Sequence, residues 1–192
     1  MQTNTLSGGF AEPAIDAAHA FRRVMEAMAR PGTVQDISGA LPPAPLSPAA
    51  GTVLLTLCDT DTPVHLAGAT DCADVRHWLA FHTGAPLAAP SRCAFAVGAW
   101  EALAPLSPYP VGTSKYPDRS ATLIVEVADL AASGATLSGP GIKDHAALSV
   151  PEIEAFQANA ALFPRGLDFI FTCGNRLAAL PRTTRVTAAE VA

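Results

Sequence analysis

The sequence predicts an α/β fold, and three observations indicate it. Short apolar runs alternate along the chain with segments of helical periodicity, which is the order of elements in an α/β domain. The 192 residues are 49% hydrophobic and 15% charged, which indicates a large buried core. No repeat or break in composition divides the chain. We therefore expect one domain over residues 1–192, with flexible tails at 1–8 and 188–192, built as a three-layer sandwich: a mixed, mostly parallel sheet with helices on both faces.

Four segments carry helical signals. The first places Ala18, Phe21, Met25 and Met28 on one stripe of a helix that Pro31-Gly32 ends. The second begins with Ser47 as the N-cap and a proline at the first helical position. Together these signals predict helices over residues 14–29, 49–57, 74–82 and 151–162.

Short apolar or β-branched runs bounded by turn residues predict the strands. Gly174-Asn175 is predicted as a turn, after which residues 176–180 pair back as an antiparallel strand. The proline-rich residues 40–46 are predicted as an extended connection. The remaining strands are predicted at 33–37, 64–66, 94–98, 121–127, 135–137 and 168–172.

Composition argues against several classes of function. A net charge of −5, with no Lys/Arg cluster beyond Arg22-Arg23, is untypical of a nucleic-acid-binding face. We expect no membrane segment and a cytoplasmic location, because the apolar runs are short and the first residues show no leader pattern. The four cysteines form no CxxC pair and are predicted to be buried free thiols. His77 and His82 are five apart, on different faces of a helix, so we expect no metal site.

The most polar stretch runs from Gly112 to Thr122, directly before an apolar strand. In one interpretation Lys115 and Arg119 form an anion site for a phosphate or phosphonate, and Asp118 orients Arg119. In the other, which ion-pair statistics favour, this stretch is a surface loop with a self-satisfied Asp-Arg pair. The spacing does not match a Walker phosphate loop.

Two further segments carry candidate binding residues. Gly139 and Gly141 flank a proline in a turn that either presents backbone N–H groups and Lys143 to an anion or serves only as a turn. Arg182 and Arg185 either grip a partner or an anion or lie on a solvated strand end. No catalytic residue is assigned, because the sequence contains no nucleophile elbow and no cysteine in a recognisable catalytic setting.

Several separated segments, taken in order, resemble one family: the H subunit of the bacterial carbon-phosphorus lyase system, or PhnH family, of phosphonate breakdown. The match spans nearly the whole chain. Its carriers are residues 21–32, 54–59, 62–64, 81–87, 112–113, 116–125, 139–142, 163–168 and 180–186.

The resemblance implies a non-catalytic, assisting subunit of a cytoplasmic complex with the G, I and J subunits. That complex joins methylphosphonate to the ribose C1 of ATP, displaces adenine and forms ribose 1-methylphosphonate 5-triphosphate. The resemblance also implies a fold similar to the large domain of pyridoxal-phosphate-dependent transferases without the cofactor, and a homodimer when the subunit is isolated. The alternative function is a stand-alone nucleotide- or phosphonate-binding enzyme that uses Lys115 and Arg119.

Overall fold

The structure is a computed structural model that describes residues 6–189. Within this range the α-helices are α1 (Pro13–Ala29), α2 (Pro48–Leu57), α3 (Ala73–Thr83), α4 (Trp100–Leu103) and α5 (Ile153–Ala160). Short 3-10 helices cover Gly68–Thr70 and Pro90–Arg92. The strands are β1 (Gln35–Asp36), β2 (Val64–Leu66), β3 (Phe95–Ala99), β4 (Thr122–Glu126), β5 (Ala135–Ser138), β6 (Ala146–Leu148), β7 (Asp168–Cys173), β8 (Arg176–Leu180) and β9 (Arg185–Thr187).

The main sheet has six strands in the order β1-β8-β7-β4-β3-β2. The four strands β2, β3, β4 and β7 run parallel, while β8 pairs antiparallel with β7 and with β1. In the central β4–β7 pair, Thr122 lies opposite Asp168 at the amino end and Glu126 lies opposite Thr172 at the carboxyl end. The prediction of a mixed, mostly parallel sheet is confirmed.

Side chains of the main sheet alternate between two hydrophobic clusters. Ile124 and Ile170 pack on one face with buried residues of α1, α2 and α3. Leu123 and Phe169 pack on the other face, with Trp100 of α4 and Phe156 of α5. Helices therefore lie on both faces of the sheet, because neighbouring residues of a strand point to opposite sides.

The second face also carries a small antiparallel sheet in the order β6-β5-β9. Leu137, Leu148 and Val186 of this sheet are buried in the cluster of that face. The strand at 135–137 is confirmed as part of β5, but β6 and β9 were not predicted as strands. Both are only three residues long, too short to show a period, and β6 consists of two alanines and a leucine without a β-branched residue.

The predicted helices are confirmed, with shifted ends. The Ser47 hydroxyl accepts a hydrogen bond from the Ala50 N–H at 3.1 Å, as the N-cap assignment requires. The helix predicted over 151–162 is shorter, at Ile153–Ala160, and the strand predicted over 33–37 reduces to β1. Helix α1 turns Ala20, Val24 and Ala27 inward. Of the predicted stripe, Phe21 and Met25 therefore face outward, with 48% and 52% exposure, whereas Met28 is partly buried against the core.

The first described residues are bonded to the core. The Trp78 Nε1–H donates to the Ser7 carbonyl at 3.1 Å, and the Leu41 N–H donates to the Gly8 carbonyl at 2.8 Å. Ser7 and Gly8 belong to the tail predicted as flexible; residues 1–5 and 190–192 of the predicted tails lie outside the described residues.

All four cysteines are free thiols, as predicted. Cys58 and Cys93 are buried, and burial raises the pKa of Cys58 to about 12 and that of Cys93 to about 11. Cys72 and Cys173 are only partly buried, so the prediction of burial is wrong for these two. None of the helices in residues 6–189 combines the length and the apolar character needed to cross a membrane.

Candidate functional site

A clasp around Arg182 closes the amino edge of the main sheet. The Arg182 Nε–H and backbone N–H donate to Oδ1 of Asp168 at 3.1 and 2.8 Å, and Nη2 donates to Oδ2 of the same carboxylate. The guanidinium also donates from Nη1 to the Pro117 carbonyl at 2.6 Å and from Nη2 to the Ser120 hydroxyl at 2.5 Å. The two charged side chains are only 13% and 16% exposed. Arg182, predicted as a partner contact, therefore donates most of its hydrogen bonds to groups of its own chain. These bonds connect β7 and the end of β8 to the loop before β4.

That loop, residues 112–120, folds back on itself in front of β4. Thr113 and Tyr116 exchange backbone hydrogen bonds of 3.1 Å, and Val111 bridges to Ser120. The loop turns at Gly112, whose φ of +70° and close approach to the Pro117 carbonyl exclude a side chain. The sequence prediction of a polar loop at a strand entrance is thus borne out by the geometry.

Lys115 and Arg119 meet at one aromatic ring. The Lys115 Nζ lies 5.2 Å from the centroid of the Tyr116 ring, and the Arg119 Cζ lies 4.2 Å from it. Both are cation-π contacts at the surface. The predicted orientation of Arg119 by Asp118 does not occur: among the ion pairs of residues 6–189, none includes Lys115, Asp118 or Arg119. Both cations thus contact the same tyrosine ring, and neither is in an ion pair within residues 6–189.

The Gly139-Pro140-Gly141 turn packs against the end of helix α1. Gly141 has a φ of +82°, and a Cβ there would lie 2.0 Å from the Ala29 carbonyl oxygen. A Cβ at Gly139 would lie 3.0 Å from the Thr183 carbonyl oxygen. Close backbone approach is therefore sufficient to explain both glycines. Lys143 is exposed beyond the turn.

These segments surround a cleft of about 530 Å³ at the amino edge of the sheet, which we call the amino-edge cleft. Of the eight candidate residues from the sequence, it brings together Asp118, Gly141 and Arg182, whereas the others do not line it. Arg185 lies exposed on β9. The lining is mostly apolar and consists of Met28, Ala29, Pro117, Asp118, Pro140, Gly141, Phe163, Pro164, Asp168, Pro181, Arg182 and Thr183.

The opposite, carboxyl edge contains a partly buried carboxylate that the sequence analysis missed. The Glu126 Oε1 accepts a hydrogen bond from the Ser47 N–H at 2.6 Å, and Oε2 accepts one from the Thr172 hydroxyl at 3.0 Å. Burial raises the pKa of Glu126, although these hydrogen bonds act against that shift. The only sequence signal was a carboxylate at the end of an apolar strand, which is also typical of a solvated strand end.

A second cleft of about 390 Å³ opens beside Glu126. Its charged lining residues are Glu101, Glu126 and Asp129, and Asp129 meets Arg176 at 3.7 Å. Ligands of open α/β sheets commonly bind at the carboxyl ends of parallel strands. Here, however, that edge is acidic and repels an anionic ligand. In residues 6–189, no group of three or more His, Cys, Asp or Glu side chains is arranged to hold a metal ion.

The architecture thus defines a mixed α/β protein with a mostly apolar cleft at the amino edge of the main sheet and an acid-lined cleft at its carboxyl edge. The chain matches the model of the family described as bacterial phosphonate metabolism protein (PhnH) over residues 8–187, and it belongs to that family. It is similar to the alpha-D-ribose 1-methylphosphonate 5-triphosphate synthase subunit PhnH of Rhizobium meliloti (strain 1021), with 41% identity over 196 residues. The alignment covers 96% of this chain and 97% of the relative. The family resemblance found in the sequence is confirmed.

Proposed function

We propose that this chain is a subunit of a synthase that forms ribose 1-methylphosphonate 5-triphosphate in phosphonate breakdown, with an assembly role. The observation that carries the proposal is the end-to-end similarity to a relative whose name is that of such a subunit. The fold agrees with this role, because contacts within the chain account for Arg182, Gly139 and Gly141, which the sequence offered as binding residues.

The finer proposal concerns the assembly. The partners would be the G, I and J subunits, the isolated subunit would form a homodimer, and the complex would work in the cytoplasm. We also propose that the fold is related to the large domain of pyridoxal-phosphate-dependent transferases. A mostly parallel sheet with helices on both faces supports that relation, but it is also common to many other α/β proteins.

The proposal is tested by co-expressing the chain with the G, I and J subunits and measuring the particle mass by light scattering after size exclusion. We expect this chain in the particle in stoichiometric amount. Elution of this chain alone, while the other three subunits assemble without it, would contradict the role.

A second candidate function is anion binding through Lys115 and Arg119. One observation favours it: the two cations converge on the Tyr116 ring without an acidic partner in the described chain. Two cations on one loop, neither of them in an ion pair within the part of the chain that the structure describes, attract a phosphate or phosphonate oxyanion more strongly than either does alone. Both are exposed, however, so water weakens the attraction.

Calorimetric titration of the isolated chain with ATP and with methylphosphonate tests this candidate. If it is correct, heat is released on binding, and Arg119→Ala abolishes it. Arg176→Ala is the matched control, because Arg176 is an exposed arginine on the opposite edge of the sheet. Absence of heat with both ligands, or equal binding by both variants, would remove this function.

A further inference from the structure

The amino-edge cleft is apolar and rigid. Four prolines line it, each on a different loop, together with Met28 and Ala29 at the end of α1. Proline restricts the backbone, so the walls of the cleft have little conformational freedom to lose when something binds. The Arg182 clasp fixes one wall, because it ties the Pro117 carbonyl to Asp168. The cleft is therefore preorganised.

An apolar surface extends from this cleft over the outside of the molecule. Phe163, which lines the cleft, is 62% exposed. Phe21, Met25 and Ala29 are four residues apart on α1 and so form one stripe that leads into the cleft. Aromatic residues and methionine are enriched in protein interfaces, and a contiguous apolar patch of this kind is typical of a binding surface.

Basic residues outnumber acidic ones in the segments that form the cleft. The charged lining residues are Asp118, Asp168 and Arg182, and Arg182 pairs with Asp168. Seven of the chain's twelve Lys and Arg residues lie within two sequence positions of a lining residue, against three of its seventeen Asp and Glu residues. The basic ones are Arg30, Lys115, Arg119, Lys143, Arg165, Arg182 and Arg185, and the acidic ones are Glu26, Asp118 and Asp168. These segments therefore carry a net charge of +4 in a chain whose net charge is −5.

We infer that the amino-edge cleft, with Phe163 and the Phe21–Met25 stripe, docks an acidic surface of a different protein subunit that inserts an apolar side chain between the prolines. Charge complementarity selects the partner: a basic rim around an apolar centre fits an acidic rim around an apolar anchor. The inference rests on the proposed function as a subunit and assigns a surface to it.

A second copy of this chain is the poorer occupant. A two-fold dimer through this surface would place the same patch on both partners, so that the two basic rims would face each other. Like charges brought together in an interface disfavour that pairing. A homodimer, if formed, therefore uses another face.

The apolar part is tested with Phe163→Ala, and Phe81→Ala is the matched control. Both phenylalanines are 62% exposed, but Phe81 lies on α3, away from the cleft. In assembly with the co-expressed G, I and J subunits, we expect Phe163→Ala to raise the dissociation constant at least about tenfold, because an aromatic anchor is lost. Phe81→Ala should bind like the unmodified chain. Circular dichroism checks that both variants fold.

The electrostatic part is tested with Arg165→Glu, next to the cleft, against Arg176→Glu on the opposite edge. We expect Arg165→Glu to weaken assembly by about threefold or more and to reduce its sensitivity to salt, because part of the attraction is removed. Arg176→Glu should change neither quantity.

The outcomes separate the inference from the function it rests on. If the unmodified chain does not assemble, the proposed function fails. If it assembles, and Phe163→Ala and Arg165→Glu bind as well as their controls, the docking surface is wrong while the function stands. If Phe163→Ala converts an isolated dimer into monomers, a second copy occupies the cleft, and the assignment to a different subunit is overturned.

Discussion

The two ends of the central β4–β7 strand pair each hold a shielded carboxylate, but only one has a cation beside it. At the amino end, Asp168 is held by the Arg182 guanidinium and the Arg182 backbone N–H. At the carboxyl end, Glu126 has a backbone N–H and a hydroxyl for partners, and burial raises its pKa. The first carboxylate is a fixed charge in an ion pair, whereas the second is a group that partly resists ionisation.

The difference extends to the surfaces at the two edges. The cleft at the amino edge is lined mostly by apolar residues, four of them prolines, and the carboxyl edge carries Glu101, Glu126 and Asp129 around its cleft. From the α/β sheet alone, a ligand would be expected at the carboxyl edge. The docking surface that we propose lies instead at the amino edge. Substitutions at the two edges test the difference between them.

The largest effect is expected for Arg182→Leu. The change leaves the largely buried Asp168 carboxylate without its cation and frees the loop before β4. Breaking a buried pair by removing one partner costs about 3–5 kcal/mol in the free energy of unfolding. Urea unfolding of the variant and the unmodified chain measures this loss of free energy of unfolding.

The control for Arg182 is Arg76→Ala, which breaks the pair with Asp71 at the surface. These side chains are 51% and 37% exposed, so water solvates the released carboxylate and the free energy of unfolding should hardly change. Equal effects of the two variants would show that the Arg182 clasp is no more than a surface pair.

A smaller effect is expected for Gly141→Ala at the amino edge. Its positive φ costs an alanine about 1–2 kcal/mol, and displacement of the Ala29 carbonyl adds about 1–3 kcal/mol. Gly174→Ala, in the turn at the carboxyl edge, is the control: its φ is +58° but nothing lies within 4 Å of the new Cβ. The free energy of unfolding of Gly174→Ala should therefore fall only by the contribution of the positive φ. A loss at Gly174 as large as that at Gly141 would refute the tight packing of the turn on α1.

The smallest effect is expected for Glu126→Gln and depends on pH. Because burial raises the pKa of Glu126 above its usual 4.5, the folded state holds the proton more tightly than the unfolded state does. The unmodified chain should therefore lose stability relative to Glu126→Gln as the pH rises through this range. Glutamine can still accept from the Ser47 N–H, so the packing is kept.

Unfolding in urea at about pH 4 and about pH 7.5 tests the sign. A difference between the two proteins that is constant with pH would mean that Glu126 ionises as readily in the folded state as in the unfolded state. A difference that changes in the opposite direction would mean that its hydrogen bonds outweigh the effect of burial.

Much of the fold was predictable because local signals and global packing agree. Ser47-Pro48 begins α2, and Gly84 ends α3 with a φ of +67°. The antiparallel return of β8 after the Gly174-Asn175 turn is also confirmed. Strands β6 and β9 of the small sheet were missed because each is only three residues long and is held by the burial of Leu148 or Val186, which its short sequence does not reveal.

The candidate site was predicted only in part. The sequence picked out Lys115 and Arg119, which the fold joins through Tyr116, but it also offered an Asp118–Arg119 pair that does not form. It took Arg182 for an exposed contact, because nothing local reveals that Asp168, fourteen residues earlier in the chain, will lie beside it. The carboxylate of Glu126 gave no signal for the same reason: its partners Ser47 and Thr172 are distant in sequence.

The α/β class, most of the helices and strands, and the family follow from the sequence, because turn residues, caps and hydrophobic periodicity are local properties of the chain. The outward position of Phe21 and Met25 and the convergence of proline-containing loops on one cleft follow from the tertiary structure. Those features depend on which segments the strand order brings together. That order is set by the packing of two hydrophobic clusters against the sheet, which no short stretch of sequence encodes.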